Sequence, residues 1–152
     1  MIRFTPITVE DQPQILEWML ADPYHKHQAD YSGPGWWLTG QKGSQLAFCL
    51  QDDTGPVLFA RVDEGDPAKL HTQFAPAEIV PKSRLVRAML KAMPVLFGYL
   101  RSVASAVVFE STSLALIQFF EKQNFKSVGN DLYELTFEEP VLVDCGTFDG
   151  VK

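Results

Sequence analysis

Residues 45–74 hold three apolar segments divided by two clusters of turn residues, and this pattern constrains the fold more than any other feature of the chain. Gln45 to Gln51 precedes Asp52-Asp-Thr-Gly-Pro56. Val57 to Val62 precedes Asp63-Glu-Gly-Asp-Pro67, and Lys69 to Phe74 follows. Strands joined by loops this short return antiparallel, because a parallel partner needs a crossover of about a dozen residues or more. A three-stranded meander is therefore expected in the middle of the chain.

The residues after the meander predict such a crossover. From Pro81 or Lys82 to about Arg101, the residues Leu85, Val86, Met89, Leu90, Met93, Leu96, Phe97 and Leu100 recur at helical spacing. Pro94 lies inside this pattern and is expected to kink the helix or divide it. Ala104 to Phe109 reads as a short buried strand. Ser111-Thr-Ser113 offers an N-cap, Leu114 to Gln123 a helix, and Asn124 the left-handed position that ends it. Asp131 to Phe137 alternates as a strand does.

Upstream, Ile2 to Pro6 is compatible with a strand. Thr8-Val-Glu-Asp11 starts a helix with Pro13 in its first turn. Its expected buried stripe is Ile15, Leu16, Met19 and Leu20, and Asp22-Pro23 ends it. Tyr24 to Asp30 is read as a short second helix. Ser32-Gly-Pro-Gly35 is a loop leading to Trp36-Trp37 and a Gly-rich turn to Ser44. The order is β-α-(α)-β-β-β-α-β-α-β. It implies an α/β (α+β) fold with a mixed central sheet and helices on both faces. Residues 1–140 are expected to form a single domain, and 141–152 either a last strand at Val141-Leu-Val143 or a loose tail.

Composition narrows the functional classes. The chain has 152 residues, 46% of them apolar and 21% charged, which suits one globular domain with its own core. Lys plus Arg number 13 against 19 Asp plus Glu, a formal net charge of −6. General nucleic-acid binding needs the opposite balance. No apolar run approaches the roughly 18–20 residues that span a bilayer, and the opening MIRFTPITVED lacks the core of a signal peptide. The expectations are a cytoplasmic protein with no nucleic-acid or membrane partner. Cys49 and Cys145 lie too far apart in sequence to suggest a disulfide scaffold or a Cys-built zinc site. His25 and His27, near Asp22 and Asp30, lack a Cys or Glu at zinc-like spacing, so no metal is expected. Cys49 has no basic neighbour in sequence and reads as an inert core thiol.

The element order, together with Ser113-Leu-Ala-Leu-Ile-Gln-Phe-Phe-Glu-Lys-Gln-Asn-Phe125, resembles the GNAT superfamily of acyl-CoA N-acyltransferases. The resemblance covers roughly residues 2–137 as element order. Its sharp part is Phe120 to Phe125, which is similar to the Tyr-x-x-x-Gly-Phe-like segment of the family. It implies acetyl-CoA or another acyl-CoA as cofactor, an amine on a small molecule or protein as acceptor, and direct transfer. The thioester carbonyl would then be held by a backbone N–H of the strand Lys69 to Phe74.

The chain departs from the family pattern in specific places. Family members bind the CoA pyrophosphate on a glycine-containing loop at the N-terminus of the long helix, where backbone N–H groups face the phosphates. Here the helix opens Pro81-Lys-Ser-Arg-Leu-Val86, with Arg84 and Val86 where glycines are expected. Phe120 stands where many members carry a Tyr whose hydroxyl serves the departing thiolate. Ser113 replaces an Asn, and Asn124 a Gly.

Candidate site residues follow from these positions. Lys82, Ser83, Arg84, Arg87 and Ser113 are the expected cofactor-binding residues. Arg84, Arg87 and Lys91 share one helical face, which is either a phosphate site built from side chains or a solvated face paired with acidic neighbours. His71 and Glu110 are the candidate bases, each with a structural role as the alternative. Trp36 and Trp37 are expected to wall the acceptor pocket, to pack in the core, or to form an interface in a homodimer. Two functions remain open: an acyl-CoA-dependent N-acyltransferase, or a catalytically inactive domain of this type serving as a binding or structural module, as in phage or accessory proteins. An open gap between the two central strands favours the first; a gap filled by Arg84, Val86 or Phe120 favours the second.

Overall fold

A computed structural model of the chain describes residues 1–24, 34–37 and 44–137. Strand β1 is Arg3–Pro6. A single 3-10 turn, Val9–Asp11, leads into helix α1, Gln12–Ala21, and a second 3-10 turn spans Pro34–Trp37. The meander follows as β2 (Ser44–Asp52), β3 (Gly55–Asp63) and β4 (Ala68–Phe74). Helix α2 is Lys82–Leu100, β5 Ala106–Glu110, α3 Leu114–Glu121, β6 Lys126–Gly129 and β7 Leu132–Thr136. The expected helix at Tyr24 to Asp30, the turn before Ser44, His25, His27 and the tail with Val141 to Val143 and Cys145 lie wholly or mostly outside the described residues.

The strands form one sheet in the order β1-β2-β3-β4-β5-β7-β6. Neighbours are antiparallel except β4 and β5, which run parallel. Strand β3 is buried continuously from Val57 to Val62, so both faces of the sheet are covered at its centre. Trp18 of α1 packs on Phe59 with ring centroids 5.0 Å apart. Burying side chains of this size contributes about 1.5–3 kcal/mol each, so α1 is fixed mainly by that face.

Several details differ from the sequence expectation. In α1 the buried residues are Ile15, Trp18 and Met19, whereas Leu20 is 48% exposed. The 3-10 turn before α1 is closed by the Asp11 carboxylate, which accepts the Thr8 backbone N–H at 2.8 Å, and the regular helix starts only at Gln12. Its apolar stripe is thereby centred on Trp18. Pro94 neither divides nor ends α2, which runs unbroken to Leu100. Pro94 is exposed and so is Leu90, whose carbonyl loses its helical donor, so water can replace the missing bond. Strand β6 was not expected. It returns into β7 through Gly129, Asn130 and Asp131, all at positive φ.

Candidate functional site

The site begins where the ladder between β4 and β5 stops. These strands pair only at Ala68 with Val107 and Lys69 with Val108. Beyond Lys69 they splay apart, and among the described residues no strand pairs with that edge of β4 between Leu70 and Phe74. Near the closed end of the wedge, Asp66 accepts the Ser105 backbone N–H at 3.0 Å and its hydroxyl at 2.7 Å, fixing the turn before β4 to the approach to β5. The open end is a cavity of about 1030 Å³ reaching the surface.

One wall comes from the helix starts. Lys82, Leu85, Val86 and Met89 of α2 line it, as do Ser111 to Ser113 and Phe119 around α3. Val80 is buried in the loop before α2, with its N–H donated to the Pro76 carbonyl at 3.0 Å. Ser113 caps α3, its hydroxyl accepting the Leu116 N–H at 3.4 Å. Lys82 and Lys122 are cations on the cavity wall.

The opposite wall carries His71, Trp36, Trp37, Asp22 and Tyr24. Trp37 is buried and Trp36 partly exposed, with the two rings edge to face at 5.0 Å. Thus one Trp joins the core, as one of the sequence alternatives had it, and both still reach the cavity. Gln73 is fully buried and donates to the Asp22 carboxylate at 3.1 Å, tying the end of α1 to β4. Asp22 keeps this position at the cavity edge.

His71 has a built environment. Its Nε2 lies 3.0 Å from Asp63 Oδ2, while Asp63 Oδ1 accepts Arg61 Nε–H at 2.7 Å. Arg61 is 5% exposed, with its guanidinium 4.0 Å from the centre of the Trp36 ring. Burial, the largest influence, pulls the imidazole below its usual range, and the Asp63 carboxylate only partly offsets it. Burial thus favours the neutral ring. Arg61 and Asp63 escaped the sequence reading because Asp63 sits in a cluster of turn residues. The signal was the turn itself: with Asp63 opposite Lys69, the register places Arg61 opposite His71.

The other candidates separate. Glu110 lines the cavity and pairs with Lys69 at 3.6 Å, both side chains well exposed. Arg84 does not face the cavity. Its Nε and Nη2 donate to Asp52 at 2.6 and 2.7 Å, across the turn between β2 and β3. That bond, before any other cause, holds the Asp52 carboxyl well below the usual carboxylate range. Arg87 and Lys91 lie on the same side, around a cleft of about 30 Å³. The basic face expected to hold phosphate thus points away from the wedge, and Ser83 is exposed outside the cavity wall. Of the expected cofactor residues, the structure brings Lys82 and Ser113 to the cavity. Neither Arg84 nor Phe120 fills the gap, and Val86 lines it without closing it. Phe120 is buried among Phe109, Phe119 and Phe125, at 4.4, 5.4 and 5.0 Å between ring centres. Cys49 is buried and its thiol is pushed up to about 12, chiefly by burial. Among the described residues no cluster of His, Cys, Asp and Glu could hold a metal ion. No described helix is long and apolar enough to cross a membrane.

No protein-family model matches the sequence. No curated protein matches it significantly either. Solved structures do match in shape. The ribosomal-protein-S18-alanine N-acetyltransferase of Escherichia coli is 16% identical, with a TM-score of 0.62 over 96% of this chain and 100% of that one. The aminoglycoside acetyltransferase AAC(6')-Ib, solved with coenzyme A, is 14% identical, with a TM-score of 0.61 over 90% of this chain and 95% of that one. A domain from Methanocaldococcus jannaschii is 14% identical, with a TM-score of 0.65 over 90% of this chain and 99% of that one. At such identity the likeness shows the fold, and the fold is that of the GNAT acyltransferases.

Proposed function

Taking the GNAT fold as premise, we propose that this domain is an acyl-CoA-dependent N-acyltransferase that moves an acyl group directly from the thioester to an amine. The observation that carries the reading is the open wedge: a large cavity beside the edge of β4 that β5 leaves beyond Lys69, with helix starts on one side and the His71 imidazole on the other. Backbone N–H groups on the free edge suit a thioester oxygen as it gains negative charge. Lys82, Lys122 and the helix starts offer donors for the cofactor's phosphates in place of glycine backbone. His71 takes the proton of the acceptor amine. The amine nitrogen attacks the carbonyl carbon, the C–S bond breaks, and the thiolate leaves with its electron pair. The departing sulfur takes its proton from solvent, since Phe120 has none to give.

The test is calorimetric titration of the purified chain with acetyl-CoA, with desulfo-CoA as control, followed by a screen of amines for thiol release. Binding with a dissociation constant on the order of 1 μM to 1 mM and amine-dependent release are expected. No binding at about 1 mM acetyl-CoA ends this reading. Phe120, held in an aromatic cluster in place of a phenol, favours a second reading, a binding module without turnover. Saturable binding with no thiol release from any amine would select it.

A further inference from the structure

Arg61, Asp63, His71 and Trp36 form a closed ring of contacts on one wall of the cavity. Arg61 and His71 face each other across β3 and β4, and Asp63 follows Arg61 by two residues on the same face. The Asp63 carboxylate bridges its neighbours, one oxygen on Arg61 and the other on His71. Arg61 also donates to the Trp36 carbonyl and lies over its ring, and Trp36 meets the His71 ring edge-on at 4.8 Å. Each member is thus held by two others.

We propose that Asp63, itself anchored by Arg61, is a positioning residue that fixes His71 with its proton on Nε2, leaving Nδ1 as the nitrogen that accepts the proton of the acceptor amine. This rests on the acyltransferase reading and extends it to residues outside direct contact with substrate. A carboxylate only accepts hydrogen bonds, so Nε2 is the donor in the 3.0 Å contact. In the neutral ring the lone pair then lies on Nδ1. When Nδ1 takes the amine proton, the imidazolium forms against a carboxylate already in place. The charged groups facing the ring among the described residues are Asp63 and Arg61 from β3 and Lys69 from β4. Asp63 favours the protonated ring and the two cations oppose it. Arg61 also occupies a face of Trp36, so that face is closed to a cationic acceptor.

The test is imidazole proton–nitrogen NMR on the 15N-labelled full chain, which has three histidines, with His71→Asn assigning the signals. The wild type is expected to show the Nε2–H tautomer at neutral pH. In Asp63→Asn the ring should titrate at lower pH and the tautomer should become mixed; Asp63→Glu should restore both. Asp63→Asn should also lower kcat by about 10- to 100-fold, up to the low end of what a general base supplies, with KM for acetyl-CoA unchanged. An Nδ1–H tautomer in the wild type overturns the proposal, as does Asp63→Asn with unchanged titration and tautomer. If Asp63→Asn does not fold, the wild-type tautomer decides. Failure of acetyl-CoA to bind would overturn the acyltransferase reading, while the spectra would still judge the His71 arrangement.

Discussion

Arg84 gives two nitrogens to Asp52, and this pairing predicts a stability effect without a ligand effect. Arg84→Ala should lower stability by about 1–2 kcal/mol and leave acetyl-CoA affinity unchanged. The pH dependence has a definite sign. Asp52 has a depressed carboxyl in the folded chain and an ordinary one, about 3.9, in the unfolded chain. Its contribution is complete above that value and is lost as pH falls toward the folded value. In acid denaturation, the stability gap between wild type and variant should therefore begin to narrow as pH falls below about 4 and continue to shrink toward the folded value. Phe120 makes the opposite test. A hydroxyl added at this buried ring meets other rings, so Phe120→Tyr should cost about 1–3 kcal/mol by urea denaturation and should not raise turnover. At this scale the sequence revealed which residues were charged or aromatic. It could not show which way they face: Arg84 was legible as a cation, while its partner Asp52 lies 32 positions away in the chain.

At the scale of elements, the meander, α2, β5, α3 and β7 were legible because local pattern decides them. Turn residues bound the strands, apolar spacing marks the helices, and Ser113 and Asn124 occupy their expected ends of α3, Asn124 at φ 76°. The misreadings came from competition between local rules and packing. Trp18 displaced Leu20 from the buried stripe because its ring fits against Phe59. Strand β6 was hidden because its residues are all exposed, so no alternation marks it. Pro94 was read as a break, but on an exposed face its lost hydrogen bond can be made by water. Pro94→Ala should therefore raise stability by about 1–3 kcal/mol through better helix propensity, without moving the cavity wall. The check is a shift in denaturation midpoint at unchanged slope.

Across the whole molecule, the sheet is two antiparallel leaves, β1 to β4 and β5-β7-β6, joined by the register of two residue pairs. The sequence could pose the question of a gap but not answer it, since the two strands part after Lys69 and Val108 although β4 runs on to Phe74 and β5 to Glu110. The cavity therefore exists because backbone bonds are missing there, and the consequence is a pattern of proton exchange with solvent. Amides on the free edge of β4 beyond Lys69 should exchange with deuterium far faster than those paired to β3, though both sit in the same strand. Under the proposed function, an acyl-CoA, whose pantetheine arm carries amides, would act as the absent neighbour in the ladder. Its binding should slow exchange along that edge while leaving the β3 side unchanged. Exchange that is equally slow on both edges without ligand would mean that the seam is already closed.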